Sequence, residues 1–345
     1  MKNYFIIFIL SLVLISCREE ITLDLASTNE KLVVEGYIEP GFPPYLILSN
    51  NQGYFDPLDS TTFSSFFVSE ADVMVYKMDK NDKIDSLNLN VDEDIFLILG
   101  IPVFTNLQEI NTNFSEEGYK YNLEILWNDK TITSSTTIPN SNGFESIFIK
   151  DTILESEKPW RCEIGTNLTD PDTIGNNYLI RSKRVQHFIN KDTNDTIPNF
   201  INEPDPSFLL VDCAPDVLIN GSSFESFLPR PRPEGGFPDG LYNTSRYKKY
   251  NINEDIIDSI LVEEDIVMVK FCQVDEASMR FWRGVVRNST SGGNPFAEPA
   301  NLTSNIDGGL GVWTGYGTKY YKIPIIKGII IDGENEYLPE IWEIF

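Results

Sequence analysis

Histidine is almost missing from this chain: His187 is the single one in 345 residues. A zinc hydrolase of the His-Glu-x-x-His type needs two, so that chemistry is excluded. A Ser–His–Asp triad would have to use His187, and no Gly-x-Ser-x-Gly elbow accompanies it. Basic residues are also scarce. The chain has 27 Lys and Arg against 52 Asp and Glu, a formal charge of -25. Nucleic-acid binding is carried by Lys and Arg, so no nucleic-acid partner is expected. The same charge repels anionic lipid headgroups, so membrane attachment has to come from a lipid or an apolar segment. The glycines from Gly308 to Gly317 contain no Gly-Lys-Ser/Thr step and no Gly-x-Gly-x-x-Gly entry to a helix. That excludes both nucleotide fingerprints and leaves these glycines as places where strands turn or approach closely. Beyond the first residues no apolar run reaches eighteen, so no later transmembrane helix is expected. Glycoside hydrolysis needs only two carboxylates and survives the inventory, but nothing in the sequence marks a pair. The expectation is a protein that is not an enzyme and needs no cofactor.

The N-terminus is the most informative segment. Met1-Lys2-Asn3 is a short positive start, Tyr4–Ile15 (YFIIFILSLVLI) is an apolar stretch, and Ser16-Cys17 follow. Twelve residues are too few to cross about 30 Å of hydrocarbon as a helix, but they fit a signal-peptide core. Leu14-Ile15-Ser16-Cys17 resembles the lipobox of bacterial lipoproteins, which implies cleavage before Cys17 and a diacylglycerol on its sulfur. Several acyl chains, at ~0.8 kcal/mol per buried CH₂, make a stable anchor. Arg18-Glu19-Glu20 resembles the surface-export signal of Bacteroidota lipoproteins, which implies that the body faces the cell exterior. The other cysteines are Cys162, Cys213 and Cys272. An odd number leaves at least one free thiol. Cys272, inside the apolar run Ile266 to Val274, reads as a buried small hydrophobe. A Cys162–Cys213 disulfide stays open, because the compartment permits one.

The expected fold class is mostly β: an N-terminal immunoglobulin-like β-sandwich followed by a β-rich domain with one helix. Residues 1–16 read as the signal peptide and 17–30 as a lipidated tether. The sandwich spans 31–139 and the C-terminal domain 144–345, with Pro139-Asn140-Ser141-Asn142-Gly143 as the boundary. The sandwich rests on short runs separated by turn residues: Leu32 to Ile38, Tyr45 to Leu48, Ala71 to Tyr76, Ile84 to Leu89, Ile95 to Leu99, Tyr119 to Ile125 and Thr131 to Ile138. In the second part strands are expected at Phe144 to Ile149, Tyr178 to Phe188, Phe208 to Val211, Ile266 to Val274, Gly311 to Gly315 and Tyr320 to Ile325. Long polar loops, at 190–206 and 229–246, are of a length usually tied to function or motion. The helix is expected from Asp275, as N-cap, to about Asn288. Ala277, Phe281, Trp282 and Val285 would form one face, and Arg280, Arg283 and Arg287 another.

Several segments, taken in order, carry a family resemblance: the lipobox, Lys31 to Ile38, Asn176-Asn177-Tyr178-Leu179-Ile180, the Phe281-Trp282 helix, Asn294-Pro295-Phe296-Ala297-Glu298-Pro299, and Ser304-Asn305-Ile306-Asp307-Gly308-Gly309-Leu310-Gly311-Val312. Together they resemble the Bacteroidota lipoprotein family known as domain of unknown function 4249. The resemblance implies an outer-membrane lipoprotein paired with a TonB-dependent receptor of the starch-utilisation type, and it supplies no catalytic residues.

Candidate ligand contacts are Trp282, Trp313 and Tyr316, whose flat rings can stack on a glycan or peptide, and Arg230 and Arg232, in an extended Pro-Arg-Pro-Arg-Pro segment. Trp160, Tyr320 and Tyr321 belong to the same aromatic set, with core packing as the commoner use. Asp92-Glu93-Asp94 and Asp170-Pro171-Asp172 bring oxygen ligands together as calcium requires, but neither has the spacing of a helix–loop–helix calcium site, and solvated turns explain them as well. Asp-Ser/Thr followed by Ile or Leu occurs at Asp85, Asp151, Asp172, Asp195 and Asp258, and resembles the O-glycosylation motif of Bacteroidota secreted proteins. The expected role is a surface-exposed lipoprotein that captures a ligand or caps a receptor for nutrient uptake. A structural or adhesive surface module without a transport role is the alternative.

Overall fold

A computed structural model describes residues 30–51, 66–109, 114–153, 160–190, 208–229, 242–244, 247–252, 255–291, 301–325 and 328–340. The signal, the lipidated cysteine, the tether up to residue 29, the loop stretches 191–207 and 230–241, and the Asn-Pro-Phe segment lie outside these residues. The first strands are β1 (Leu32–Ile38), β2 (Tyr45–Asn50), β3 (Asp72–Asp79), β4 (Asp82–Val91), β5 (Phe104–Thr105), β6 (Lys120–Trp127) and β7 (Lys130–Thr137). Then come β8 (Ser146–Ile153), β9 (Trp160–Thr169), β10 (Asn177–Asn190), β11 (Leu209–Ala214), β12 (Ser223–Leu228), β13 (Tyr242–Thr244) and β14 (Tyr247–Ile252). The last are β15 (Asp255–Val274), β16 (Ile306–Asp307), β17 (Leu310–Pro324) and β18 (Ile330–Asp332). The helices are α1 (Glu93–Leu99) and α2 (Glu276–Ser291).

The protein is mostly β, as expected. One long sheet runs β11-β10-β15-β17-β1-β2-β5-β4-β3-β6-β7-β16, and a smaller one runs β12-β9-β8-β18. The pairing of β1 with β17 is parallel, with Gly36 opposite Trp313 and Tyr37 opposite Thr314. The long sheet therefore passes across residues 139–144 without a break.

Three cores form on the two faces of this sheet. Because side chains alternate along a strand, Leu32, Val34 and Ile38 of β1 face one way. They meet Val73, Val75, Tyr121, Leu123, Ile125 and Trp313 in the first core, where the sheet folds over on itself as a sandwich. Tyr37 faces the other way, with Tyr45, Val312, Tyr316, Tyr320, Met279 and Trp282. The third core lies between the long sheet and the smaller one, where Val267, Val269, Phe271 and Tyr321 meet Phe144, Ile147 and Ile164. Helix α2 covers the second core. Asp275 starts it, accepting from Ser278 N at 2.8 Å, and its other oxygen accepts from Thr136 Oγ1 at 2.7 Å on β7. Met279 and Trp282 point inward and Arg280, Arg283 and Arg287 are exposed, but Ala277, expected on the apolar face, is exposed too.

Three expectations are corrected. Ile95 to Leu99 is helical, because Asp92 Oδ1 accepts from Ile95 N at 2.9 Å and Gly100, at φ 71°, closes the other end. Among the described residues after 144, α2 is the one α-helix, as expected. Gly311 to Gly315 and Tyr320 to Ile325 are parts of the single strand β17. Strands β9, β12, β13 and β14 lie in stretches read as loop.

Cys162, Cys213 and Cys272 are buried and none is in a disulfide, so the pairing left open by the sequence is not formed. Cys213 lies in the second core and Cys162 in the third, on the other face of the sheet. Burial pushes the Cys213 thiol up to about 12 and the Cys272 thiol up to about 11, from 9.0. The folded state holds these protons more tightly. The associated stability is full below pH 9.0 and is lost as pH climbs through about 11 to about 12. In a Cys17→Ala variant, iodoacetamide at pH 8 is expected to label none of the three thiols in buffer and all three in urea. Urea midpoints should fall from pH 9 upward; fast labelling of the folded protein would contradict the burial.

Candidate functional site

The second-core face of the long sheet carries a cavity of about 280 Å³, just below the roughly 300–1,000 Å³ of typical ligand pockets. Glu35 and Tyr37 come from β1, Tyr45 and Ile47 from β2, Arg181 from β10, Lys270 from β15 and Tyr316 from β17; Leu99, Ile101 and Phe208 complete the lining. The parallel pairing of β1 with β17 brings Tyr37 against Tyr316, with ring centroids 5.6 Å apart and planes 16° apart. Tyr37 also stacks on Trp282 at 6.1 Å.

Two cations meet here. Arg181 and Lys270 are direct cross-strand partners, so both project onto this face. Lys270 is buried and neutralised: its Nζ donates to Glu39 Oε1 at 2.7 Å, and Tyr320 OH donates to Glu39 Oε2 at 2.7 Å. Among the described residues Arg181 has no carboxylate partner. Its guanidinium lies 4.4 Å from the Trp282 ring centroid and 5.7 Å from that of Tyr37. One Nη donates to Tyr316 OH at 3.5 Å, a long contact, and the buried Nε–H has no acceptor. A guanidinium offers five donors, and a buried donor left unmatched costs about 1–3 kcal/mol. Burial raises the pKa of the Tyr37, Tyr45, Tyr316 and Tyr320 hydroxyls, so all four stay neutral hydrogen-bonding groups. Tyr37 OH donates to Glu35 at the exposed edge of the cavity. The arrangement can hold a negative charge at Arg181 and an apolar body against Ile47, Ile101 and Phe208.

Helix α1 stands at the rim. Leu99 lines the cavity, while Leu97 is 80% and Ile98 63% exposed. A larger concavity, about 450 Å³, lies on the outer side of β6 and β7, and its charged residues Lys120, Glu124 and Asp307 are exposed.

The ligand residues expected from sequence separate sharply. Tyr316 lines the cavity, and Trp282 lies behind Arg181. Trp313 is corrected to a core residue. It is fully buried, its Nε1 donates to Tyr121 O at 3.1 Å, and Asn305 bonds both its backbone N and O. Tyr320 and Tyr321 are buried as well. Arg230, Arg232, Cys17, Arg18, Glu19 and Glu20 lie outside the described residues. The acidic clusters serve the fold: Asp92 caps α1, and Asp170 accepts from Tyr178 OH and from Gly221 N. Among the described residues no three His, Cys, Asp or Glu side chains converge as metal ligands. Sequence reasoning missed Arg181, Tyr37, Tyr45, Glu39 and Lys270. Lys270 inside the apolar run Ile266 to Val274 was a usable signal, since a charge buried in a strand needs a partner.

The fold and the cavity define a mostly β protein of two packed sheets, with an arginine–tyrosine pocket on the outer face of the longer one. Residues 18–322 match domain of unknown function DUF4249, and the chain belongs to that family. A comparison with curated proteins finds no match.

Breaking the buried pair should be costly. Lys270→Met leaves Glu39 charged and unmatched, and a loss of about 3–5 kcal/mol is expected in urea unfolding. Combining it with Glu39→Gln, which keeps an acceptor for Tyr320, should recover much of that loss. A single-variant loss under 1 kcal/mol would show the pair to be incidental.

Proposed function

We propose that this chain is a non-enzymatic Bacteroidota outer-membrane lipoprotein. It is anchored through lipid on Cys17, faces the cell exterior, and captures a ligand while capping a TonB-dependent receptor of the starch-utilisation type. The observation that carries the capture is the strand-walled cavity with the unneutralised Arg181. A site made only for packing would have no reason to keep a cation without a counter-charge. The lipobox ending in Cys17 supports the anchor, and Arg18-Glu19-Glu20 supports the outward orientation. No helix among the described residues is long and apolar enough to cross a membrane, which is consistent with lipid as the means of attachment. Residues 17–30, fully extended, would reach roughly 45 Å, enough for the body to sit over a receptor in the same membrane. The exposed Leu97 and Ile98 beside the cavity support docking there, since apolar surface gains by being covered.

Two experiments test the halves separately. Cys17→Ala is expected to move the protein from the membrane pellet to the soluble fraction; equally firm retention would refute the anchor. A tagged wild-type chain, pulled from solubilised outer membranes, should recover a TonB-dependent receptor. Leu97→Glu with Ile98→Glu should lower that recovery about tenfold, the effect of losing one modest interface anchor. Recovery without any such receptor would favour the structural or adhesive reading.

A further inference from the structure

The geometry points to a specific ligand class for the cavity: a small organic acid with one carboxylate and an apolar body. This inference rests on the ligand-capture reading above and narrows it. Among the described residues lining the cavity, Arg181 is the one charged group whose charge is neither matched nor at the exposed edge. Lys270, beside it, is held by Glu39, and Glu35 sits at the exposed rim. A carboxylate can accept from a guanidinium through two parallel N–H···O bonds. The two Nη groups of Arg181 have the donors for this, with only one long contact, to Tyr316, while its Nε–H is enclosed by protein and unmatched. Trp282 and Tyr37 hold the guanidinium plane from the side, so it is oriented before any ligand arrives.

The remaining walls set the rest of the ligand. Ile47, Leu99, Ile101 and Phe208 are apolar, and Tyr45 and Tyr316 present ring surface. A sugar, with hydroxyls on every side, would leave most of them unmatched on such walls. Glu35 at the rim repels a second negative group, which excludes dicarboxylates and phosphate esters. About 280 Å³ admits an acid of the size of N-acetylphenylalanine but not a long acyl chain. The carboxylate is that of a free acid or of the C-terminus of a peptide whose preceding residues leave the cavity past α1.

The test uses the detergent-solubilised lipoprotein, titrated calorimetrically with N-acetylphenylalanine, its neutral amide, and the peptide acetyl-Gly-Gly-Phe with a free C-terminus. Saturable binding of a carboxylate probe is expected, with the amide at least tenfold weaker. Binding of N-acetylphenylalanine alone assigns the site to free acids, and binding of the peptide assigns it to peptide C-termini. Arg181→Gln should abolish binding. Ile101→Trp, which fills the cavity from a half-buried position and leaves Arg181 in place, should abolish it as well, and it decides the matter if Arg181→Gln does not fold. No saturation by either acid, equal affinity for the amide, or binding that survives Ile101→Trp would overturn the inference. Receptor recovery in the same variants is read independently. An empty titration with an intact receptor complex sinks the carboxylate pocket alone.

Discussion

The parallel pairing of Leu32–Ile38 with Leu310–Gly315 is the constraint on which the rest of the structure depends. Closing a chain loop of this length costs about 5 kcal/mol before any contact repays it. The repayment comes from fit. Trp313 fills the first core against Gly36, where an added Cβ would lie 2.8 Å from the indole. Gly311, at φ 102°, lets its backbone pass Val34, where an added Cβ would sit 2.0 Å from the carbonyl oxygen. No other residue can adopt that conformation in that space without strain. With β17 in place, β1 is no longer an edge strand, and two regions far apart in sequence share one sheet.

That sheet in turn decides where charge can be buried. Glu39 sits just past the end of β1, Lys270 near the C-terminal end of β15 and Tyr320 on β17, so the three meet only if β1 and β17 are paired. The carboxylate receives two donors and the ammonium finds its counter-charge, which offsets a desolvation penalty of several kcal/mol per ion. Arg181, one strand further out, receives no such match. Matched and unmatched cations stand side by side under the same rings, and it is the unmatched one that the proposed capture uses. Packing alone would have treated both alike.

How much of this was legible follows from the range of the interactions involved. Leu32 to Ile38 and Tyr119 to Ile125 could be read directly, because alternation is local. So could α2, whose start Asp275 marks. The error at Ile95 to Leu99 is instructive. The apolar run lacks helical periodicity because most of α1 is exposed, yet Asp92, Glu93, Asp94 and Gly100 are the start and stop signals of a capped helix. The acidic residues, legible from sequence as solvated turns or as oxygen ligands, are the start of this helix, with Asp92 as its cap. The aromatic candidates failed in part for a related reason: composition cannot tell which face of a strand a ring occupies. Trp313 and Tyr316 are three residues apart on one strand, so they point to opposite faces, one into a core and one into the cavity. The pairing that decides this joins residues almost the full chain apart, and no local pattern encodes it.

The cavity combines walls and rim of very different rigidity. Its walls are five neighbouring strands, each backed on the opposite face by a packed core. Moving Arg181 or Tyr316 would mean breaking ladder hydrogen bonds on both sides. The rim at α1 is a helix of seven residues, too short to be stable by itself, and it buries only Ile95. Local opening follows the regions with few buried contacts, so α1 yields first while the charged floor keeps its geometry. A fixed guanidinium beneath a yielding apolar edge separates recognition from access. In the proposed capture the strands would set what binds, and the short helix that Asp92 and Gly100 close off would set how readily it enters.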